Sequence, residues 1–266
     1  MKTTNQFFAA LLVMFLMLNT TTLLAQEAAP KKPEYVSVTK MYWNSKNNST
    51  MDEWKAVEKE YMEKVTKKNE YVMGGWYYTH LITENSNEVL YIQSYPNWEA
   101  IDKAAARNSE LEKIAWPDKE KRKAFLDNMN SAYSNFHADE IYATMDGAKV
   151  LAAAPEGDMI LYLRKNTLAY PEDGTTEEFN ALRKKVLDNV INKNEFIKGY
   201  YPHIHAWGSD RREFNEGILI ESLGDLSKMF DRNTELMKSA LTEEEGKALG
   251  KYFRAHGDYV YTAVKL

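Results

Sequence analysis

The residues best suited to chemistry are histidines and aromatics that recur at matching places. Five histidines are present, and four fall at equivalent points of two similar segments: His80 with His205, and His137 with His256. The fifth, His203, stands two residues before His205. On a strand, side chains two apart share a face. Trp76, Tyr78 and His80 therefore point one way in the first segment, and Tyr201, His203 and His205 do so in the second. An imidazole titrates near neutral pH and can take or give a proton. Aromatic rings stack on flat ligands, and tyrosine adds a hydroxyl at the edge. The pattern reads as a candidate catalytic pair, His80 and His205, in a lining of Trp76, Tyr78, Tyr201 and His203 that binds a small molecule.

Other readings of these residues are narrower. His203 and His205 on one face could ligate a metal if a third ligand came from elsewhere. Position 203 corresponds to Tyr78 in the first segment, so the pair exists in one half only, and the favoured reading has no metal. A heme would take its axial ligand from His80 or His205. No pattern assigns that or any other cofactor, which stays unknown. His137-x-Asp139 and His256-x-Asp258 share a face as well. They are expected at junctions where a helix ends and the last strand begins, with His capping the helix and Asp holding the turn. Gly74-Gly75 and Gly199 lie inside strands and mark bulges, curvature or ligand access. The sequence contains no phosphate loop, dinucleotide fingerprint, nucleophile elbow or HExxH helix. Asn48-Ser49-Thr50 fits a glycosylation acceptor.

The elements that must position these residues come in two passes. The first predicts a strand from Glu34 to Trp43, then a helix starting near Ser49 and running to about Lys68 with Trp54, Val57, Tyr61 and Val65 on one face. Strands at 71–82 and 88–95 form a hairpin across Glu84-Asn85-Ser86-Asn87. Helical stretches at 98–106 and 117–134 and a strand at 137–145 complete it. The second pass predicts a strand at 159–165, a helix at 175–192, strands at 196–207 and 217–223, helices at 226–240 and 242–255, and a strand at 256–264.

An offset of 125 residues lays Asn69-Glu70-Tyr71-Val72 on Asn194-Glu195-Phe196-Ile197, Trp54 on Phe179 and His80 on His205. The last strands match as His137-Ala138-Asp139-Glu140-Ile141-Tyr142 and His256-Gly257-Asp258-Tyr259-Val260-Tyr261. Self-similarity with a shared element order reads as a duplication.

Ahead of the passes lies an apolar run from Phe7 to Leu18 preceded by Lys2 and followed by small Ala25. It is too short to span a bilayer, which takes about 20 residues. It reads as a signal peptide over 1–25, then a disordered leader at 26–33. The first repeat covers 34–146, a linker 147–157, and the second repeat 158–266. Localisation is expected to be periplasmic or secreted, as a soluble chain with no membrane span after signal removal. With 34 basic and 39 acidic residues, the chain lacks the positive surface that nucleic acid requires. Zero cysteines exclude disulfides, thiolate nucleophiles and lipid attachment at a lipobox.

A β-α-β-β-α-β unit is the ferredoxin-like arrangement, with both helices on one face of a four-stranded sheet. Its open aromatic face needs a cover. In element order, helix pattern and duplication over about 34–266, the chain resembles the dimeric α+β barrel superfamily in a fused two-repeat form. That resemblance implies an α+β fold of two tandem ferredoxin-like repeats packing sheet to sheet. The alternative is two ferredoxin-like domains that share no barrel. The superfamily includes monooxygenases and chlorite dismutase-like heme proteins. It implies binding or oxidative transformation of a small apolar or aromatic ligand in the cavity between the sheets. The competing expectation is a noncatalytic envelope module that binds a protein partner.

Overall fold

The structure, a computed structural model, describes residues 32–266. The expected signal peptide, and the expected leader as far as residue 31, lie outside the described residues. Each half has the order β-α-β-β-α-α-β. The first comprises β1 (Tyr35–Trp43), α1 (Met51–Lys64), β2 (Gly74–Ile82), β3 (Glu88–Tyr95), α2 (Trp98–Ala115), α3 (Lys119–Ser131) and β4 (Tyr133–Thr144). The second comprises β5 (Met159–Leu168), α4 (Thr176–Val186), β6 (Gly199–Trp207), β7 (Glu213–Ile220), α5 (Asp225–Ala240), α6 (Glu243–Lys251) and β8 (Phe253–Val264). No helix among the described residues is long and apolar enough to cross a membrane.

Helix starts follow cap chemistry. Thr50 accepts from Glu53 N–H while the Glu53 carboxylate accepts from Thr50 N–H, and Thr242 with Glu245 repeats this capping box at α6. Asn97, Asp118 and Thr175 cap α2, α3 and α4. Three strands begin earlier than expected. β4 starts at Tyr133 and β8 at Phe253, so His137 and His256 lie within strands rather than at helix junctions. Each imidazole instead meets the aspartate two residues on, at 3.3 Å (Asp139) and 3.2 Å (Asp258). β7 begins at Glu213 rather than Gly217, because Glu213, Phe214 and Asn215 pair with Thr167, Asn166 and Lys165 of β5.

The eight strands close into one antiparallel barrel in the order β1-β3-β2-β8-β5-β7-β6-β4. The two four-stranded halves do not merely face each other. They hydrogen-bond at two seams: β2 with β8, where His80 pairs with Tyr261, and β4 with β6, where Tyr142 pairs with His205. Closure leaves no unpaired edge, and the alternative of two separate domains does not describe this chain.

Alternation decides what lies inside. Tyr77, Val89, Met41 and Trp43 point outward and pack on Trp54 and Met62 of α1. Tyr162, Tyr200, Ile218 and Val260 point outward against Met229 of α5 and the π-turn Leu187–Ile191 that follows α4. The opposite faces fill the barrel axis with Val38, Tyr78, Leu90, Ile92, Leu161, Leu163, Leu219 and Tyr261. Each large apolar side chain so buried contributes about 1.5–3 kcal/mol.

The halves also share hydrogen-bonding detail. The Asn69 amide donates to Ala104 O and Asn108 Oδ1 while its carbonyl accepts Tyr71 N–H; Asn194 does the same with Met229, Asn233 and Phe196. Arg107 bridges Glu70 and Glu110, as Arg232 bridges Glu195 and Glu235.

The segment joining the halves crosses one end of the barrel. It turns at Gly147, whose φ is +93° and where a Cβ would meet Leu187 at 2.2 Å, so only glycine fits. Lys149 bridges to Tyr200, Leu151 N–H donates to the Tyr201 hydroxyl, and the Leu151 side chain joins the interior core. Lys265 N–H then donates to the Asp158 carboxylate at 2.7 Å, tying the last strand's end to the start of β5. One end is therefore plugged.

Candidate functional site

The other end carries a ring of polar side chains. Toward it each strand contributes one inward residue: Lys40 (β1), Glu88 (β3), His80 (β2) and Tyr259 (β8), then Lys165 (β5), Glu213 (β7), His205 (β6) and Glu140 (β4). Immediately below lie Tyr261 and Tyr142. In this strand order β1 and β5 run the same way along the barrel, as do β3 and β7, so residues at matching positions come to the same end. Lys40 and Lys165, like Glu88 and Glu213, stand 125 residues apart.

The ring consists of two quartets, each built from both halves. Lys40 Nζ lies 3.2 Å from Glu88, and Glu88 accepts the hydroxyl of Tyr261, the register partner of His80. In the second quartet Glu213 accepts the hydroxyl of Tyr142 at 2.5 Å, and Tyr142 is the register partner of His205. Each carboxylate is thus satisfied by a tyrosine from the opposite half.

The second quartet is looser and more polar. Tyr142 is also 2.6 Å from Glu140, whose counterpart in the other half is Tyr259. Lys165 Nζ stays 3.8 Å from Glu140 and 4.0 Å from Glu213, distances that leave room for an intervening polar atom. Asn215 and His203 replace Leu90 and Tyr78. Asn215 is 5% exposed and its Oδ1 has no hydrogen-bond partner. It faces inward beside Lys165 and His203, its register partners. A buried acceptor left unpaired costs about 1–3 kcal/mol, so its presence asks for a function.

Charge coupling runs across the mouth. Burial pulls the Lys40 ammonium down, but Glu88, with Tyr42 and Glu140, outweighs it and the net shift is upward. Burial pushes Glu140 up, and Tyr142, Lys165, Ser209 and Lys40 together reverse it, so the carboxylate is held below its usual value. Burial followed by the flanking carboxylates pushes both Tyr142 and Tyr261 far up, so these phenols stay protonated donors.

The structure divides the residues singled out by sequence. His80 and His205 flank the mouth, with His80 Nδ1 2.8 Å from Thr83 Oγ1; His203 and Tyr78 lie one layer deeper. Trp76 and Tyr201 sit four residues back along their strands, about 13 Å toward the plugged end. There a Cβ on Gly74 would strike the Trp76 ring at 2.5 Å, and one on Gly199 the Tyr201 ring at 2.9 Å. These rings cover strand glycines, as aromatics do where a barrel bends. Lys40, Glu88, Glu140, Tyr142, Lys165, Glu213, Asn215 and Tyr261 escape a reading based on histidine. The shared offset of Lys40 with Lys165 and Glu88 with Glu213 is the signal that reveals them.

Among the described residues, no three His, Asp or Glu side chains converge as a metal-binding group. A porphyrin fits neither imidazole, since charged and hydroxylated groups crowd each one and packed side chains fill the axis beneath.

The same barrel occurs in solved structures. A candidate monooxygenase of Fusobacterium nucleatum subsp. nucleatum superposes with a TM-score of 0.53 at 9% identity, over 88% of this chain and 93% of its own. A second, from Lactobacillus acidophilus NCFM, gives 0.54 at 11%, over 88% and 94%. What they share with this chain is the α+β barrel fold. A mutant chlorite dismutase of Candidatus Nitrospira defluvii shares the barrel at 0.53 and 8% identity, over 91% and 96%. No family model and no curated protein matches this sequence. The likeness is one of fold.

Proposed function

We propose that the open mouth binds a small aromatic molecule carrying hydroxyl or amine groups and transfers a proton from it. The observation that carries this is the buried Oδ1 of Asn215, an acceptor awaiting a donor where the other half has Leu90. The ligand's O–H or N–H points down to Asn215, and its ring stays at the mouth against Tyr259. His205, beside Tyr142, takes the proton. Lys165, which makes only long contacts, moves onto the resulting anion. An ionised hydroxyaromatic is electron-rich and readily oxidised, in keeping with the monooxygenase names attached to two fold relatives.

Two further readings accompany this one. The halves are copies of one ferredoxin-like unit, supported by the matched Asn69 and Asn194 constellations and the paired quartets. The copies cover 34–146 and 158–266. The chain is exported, supported by the apolar run Phe7–Leu18; N-terminal sequencing of protein recovered from the periplasm checks the cleavage site.

Calorimetric titration with phenols, anilines and their saturated analogues tests the site. Saturable binding of the hydroxylated or aminated aromatics, absent for saturated analogues and lost in Asn215→Leu, is the expected result. Binding of none of them, or equal binding in Asn215→Leu, overturns the assignment.

A further inference from the structure

The outer face of the first half holds a second concentration of chemistry, independent of the mouth. Glu58 of α1 is 1% exposed. It accepts the hydroxyls of Tyr77 at 2.6 Å and Tyr133 at 2.8 Å. Tyr133 in turn accepts the indole N–H of Trp54 at 2.8 Å. The rings around this carboxylate are continuous. Tyr133 stacks on Trp43 at 5.9 Å, Trp43 meets Trp54 at 5.1 Å, Trp54 meets Tyr77 at 5.5 Å, and Tyr77 stacks on Tyr91 at 4.4 Å. At Trp43 and Trp54 the chain reaches a surface cavity of about 180 Å³ that Asn44, Asn47, Thr50 and Met51 also line.

The second half offers an internal comparison. At the positions of Trp43, Trp54, Glu58, Tyr77 and Tyr91 it carries Leu168, Phe179, Arg183, Pro202 and Glu216. Packing is preserved there by Phe179, Phe214, Phe253 and Tyr252, the last of them the counterpart of Tyr133, so a barrel of this kind has no structural need for the two indoles or for a carboxylate at the place of Glu58. Tryptophan and tyrosine are the aromatic side chains that lose an electron most readily, and phenylalanine does not. A phenol gives up an electron far more easily when a base is in place to receive its proton.

We propose that Trp43, Trp54, Tyr77 and Tyr133, with Glu58 as internal base, form a proton-coupled electron-transfer chain. It carries oxidising equivalents from a one-electron oxidant at the cavity into the first half. The oxidant takes one electron from Trp43 or Trp54. The hole passes to Tyr133 or Tyr77, which returns an electron to the indole and gives its phenolic proton to Glu58. The products are a neutral tyrosyl radical, a protonated carboxyl group, a restored indole and a reduced oxidant. A reductant that later supplies one electron regenerates the phenol as Glu58 returns the proton.

Flash oxidation of the full chain with photogenerated tris-bipyridine ruthenium(III) tests this, read by electron paramagnetic resonance and by mass-spectrometric mapping of oxidised residues. A neutral tyrosyl signal that forms more slowly in D2O is expected, with oxidation concentrated at Trp43, Trp54, Tyr77 and Tyr133. In Glu58→Gln, confirmed folded by circular dichroism, the tyrosyl yield should fall several-fold while tryptophan oxidation persists. The mapping on unaltered protein needs no variant. Oxidation spread equally over Tyr162, Tyr170, Tyr200 and Tyr252 of the second half, or an unchanged tyrosyl yield in Glu58→Gln, overturns the proposal.

Discussion

Asn215 and Glu58 are both buried polar residues, yet they make opposite statements about stability. Asn215 leaves an acceptor unpaired, and leucine, similarly branched though bulkier, fills the counterpart position. We expect Asn215→Leu to stabilise the fold by about 1 kcal/mol, since the penalty of an unmade hydrogen bond is removed. An unchanged or lower urea midpoint would show that Asn215 already has a partner. Glu58 is instead satisfied, but burial raises its pKa above 4.5 despite the hydrogen bonds from Tyr77, Tyr133 and Trp54. A carboxyl raised in the folded state binds its proton more tightly there than in the unfolded chain. Its contribution is complete below pH 4.5 and is lost as pH rises through the folded value. Urea midpoints measured across that window should decline with pH, and in Glu58→Gln this component of the decline should vanish. Tyr142→Phe removes the donor shared by Glu140 and Glu213, which should cost about 1–3 kcal/mol in denaturant unfolding and abolish binding of the hydroxyaromatic probes. At this scale the sequence was legible only in part. His80 and His205 are rare and repeat visibly, whereas a lone Lys or Glu in a strand looks like ordinary solvent-facing alternation until the register is known.

At the scale of elements, most of the order follows from caps and periodicity. Thr50 with Glu53, Asn97 and Pro96, and the polar hairpin at 84–87 all mark boundaries with local chemistry. The boundaries that move share a cause. β4 and β8 extend toward their N-termini to Tyr133 and Phe253, β7 to Glu213 and α2 to Ala115, because pairing or packing partners far along the chain continue the element past its local signal. The loops entering β2 and β6 show how much one side chain can fix. Asn194 holds the α5 carbonyl of Met229 and the Phe196 amide together. Asn194→Ala should lower stability by about 1–3 kcal/mol, the cost of stranding those groups. Asn69→Ala should do the same in the first half. The two losses should add, because the sites share no partner; strong non-additivity would mean the loops are coupled through the barrel.

For the whole molecule, closure was the least legible feature. The β2–β8 seam joins residues such as Thr79 and Thr262, whose types carry no mark of the pairing. Sequence can predict two sheets needing cover without predicting hydrogen-bonded seams. The plug at one end was equally hidden, since residues 147–157 read as a small-residue linker. Leu151 is only half buried, so Leu151→Ala should cost about 1–2 kcal/mol, below the range for a fully buried leucine. If thermal unfolding is unmoved, Leu151 does not seal that end.

The exchange of tyrosines between halves has a consequence for assembly. Tyr261 completes Glu88 and Tyr142 completes Glu213, so each half as a separate chain would lack the tyrosine donor of its own carboxylate. Joined through 147–157, each half meets its complement at an effective concentration of the millimolar order typical of short tethers. A two-chain barrel would come apart on dilution, whereas here closure is unimolecular. The unfolding midpoint should therefore not depend on how dilute the protein becomes, and the two quartets could diverge without either one having to remain compatible with an identical copy of itself.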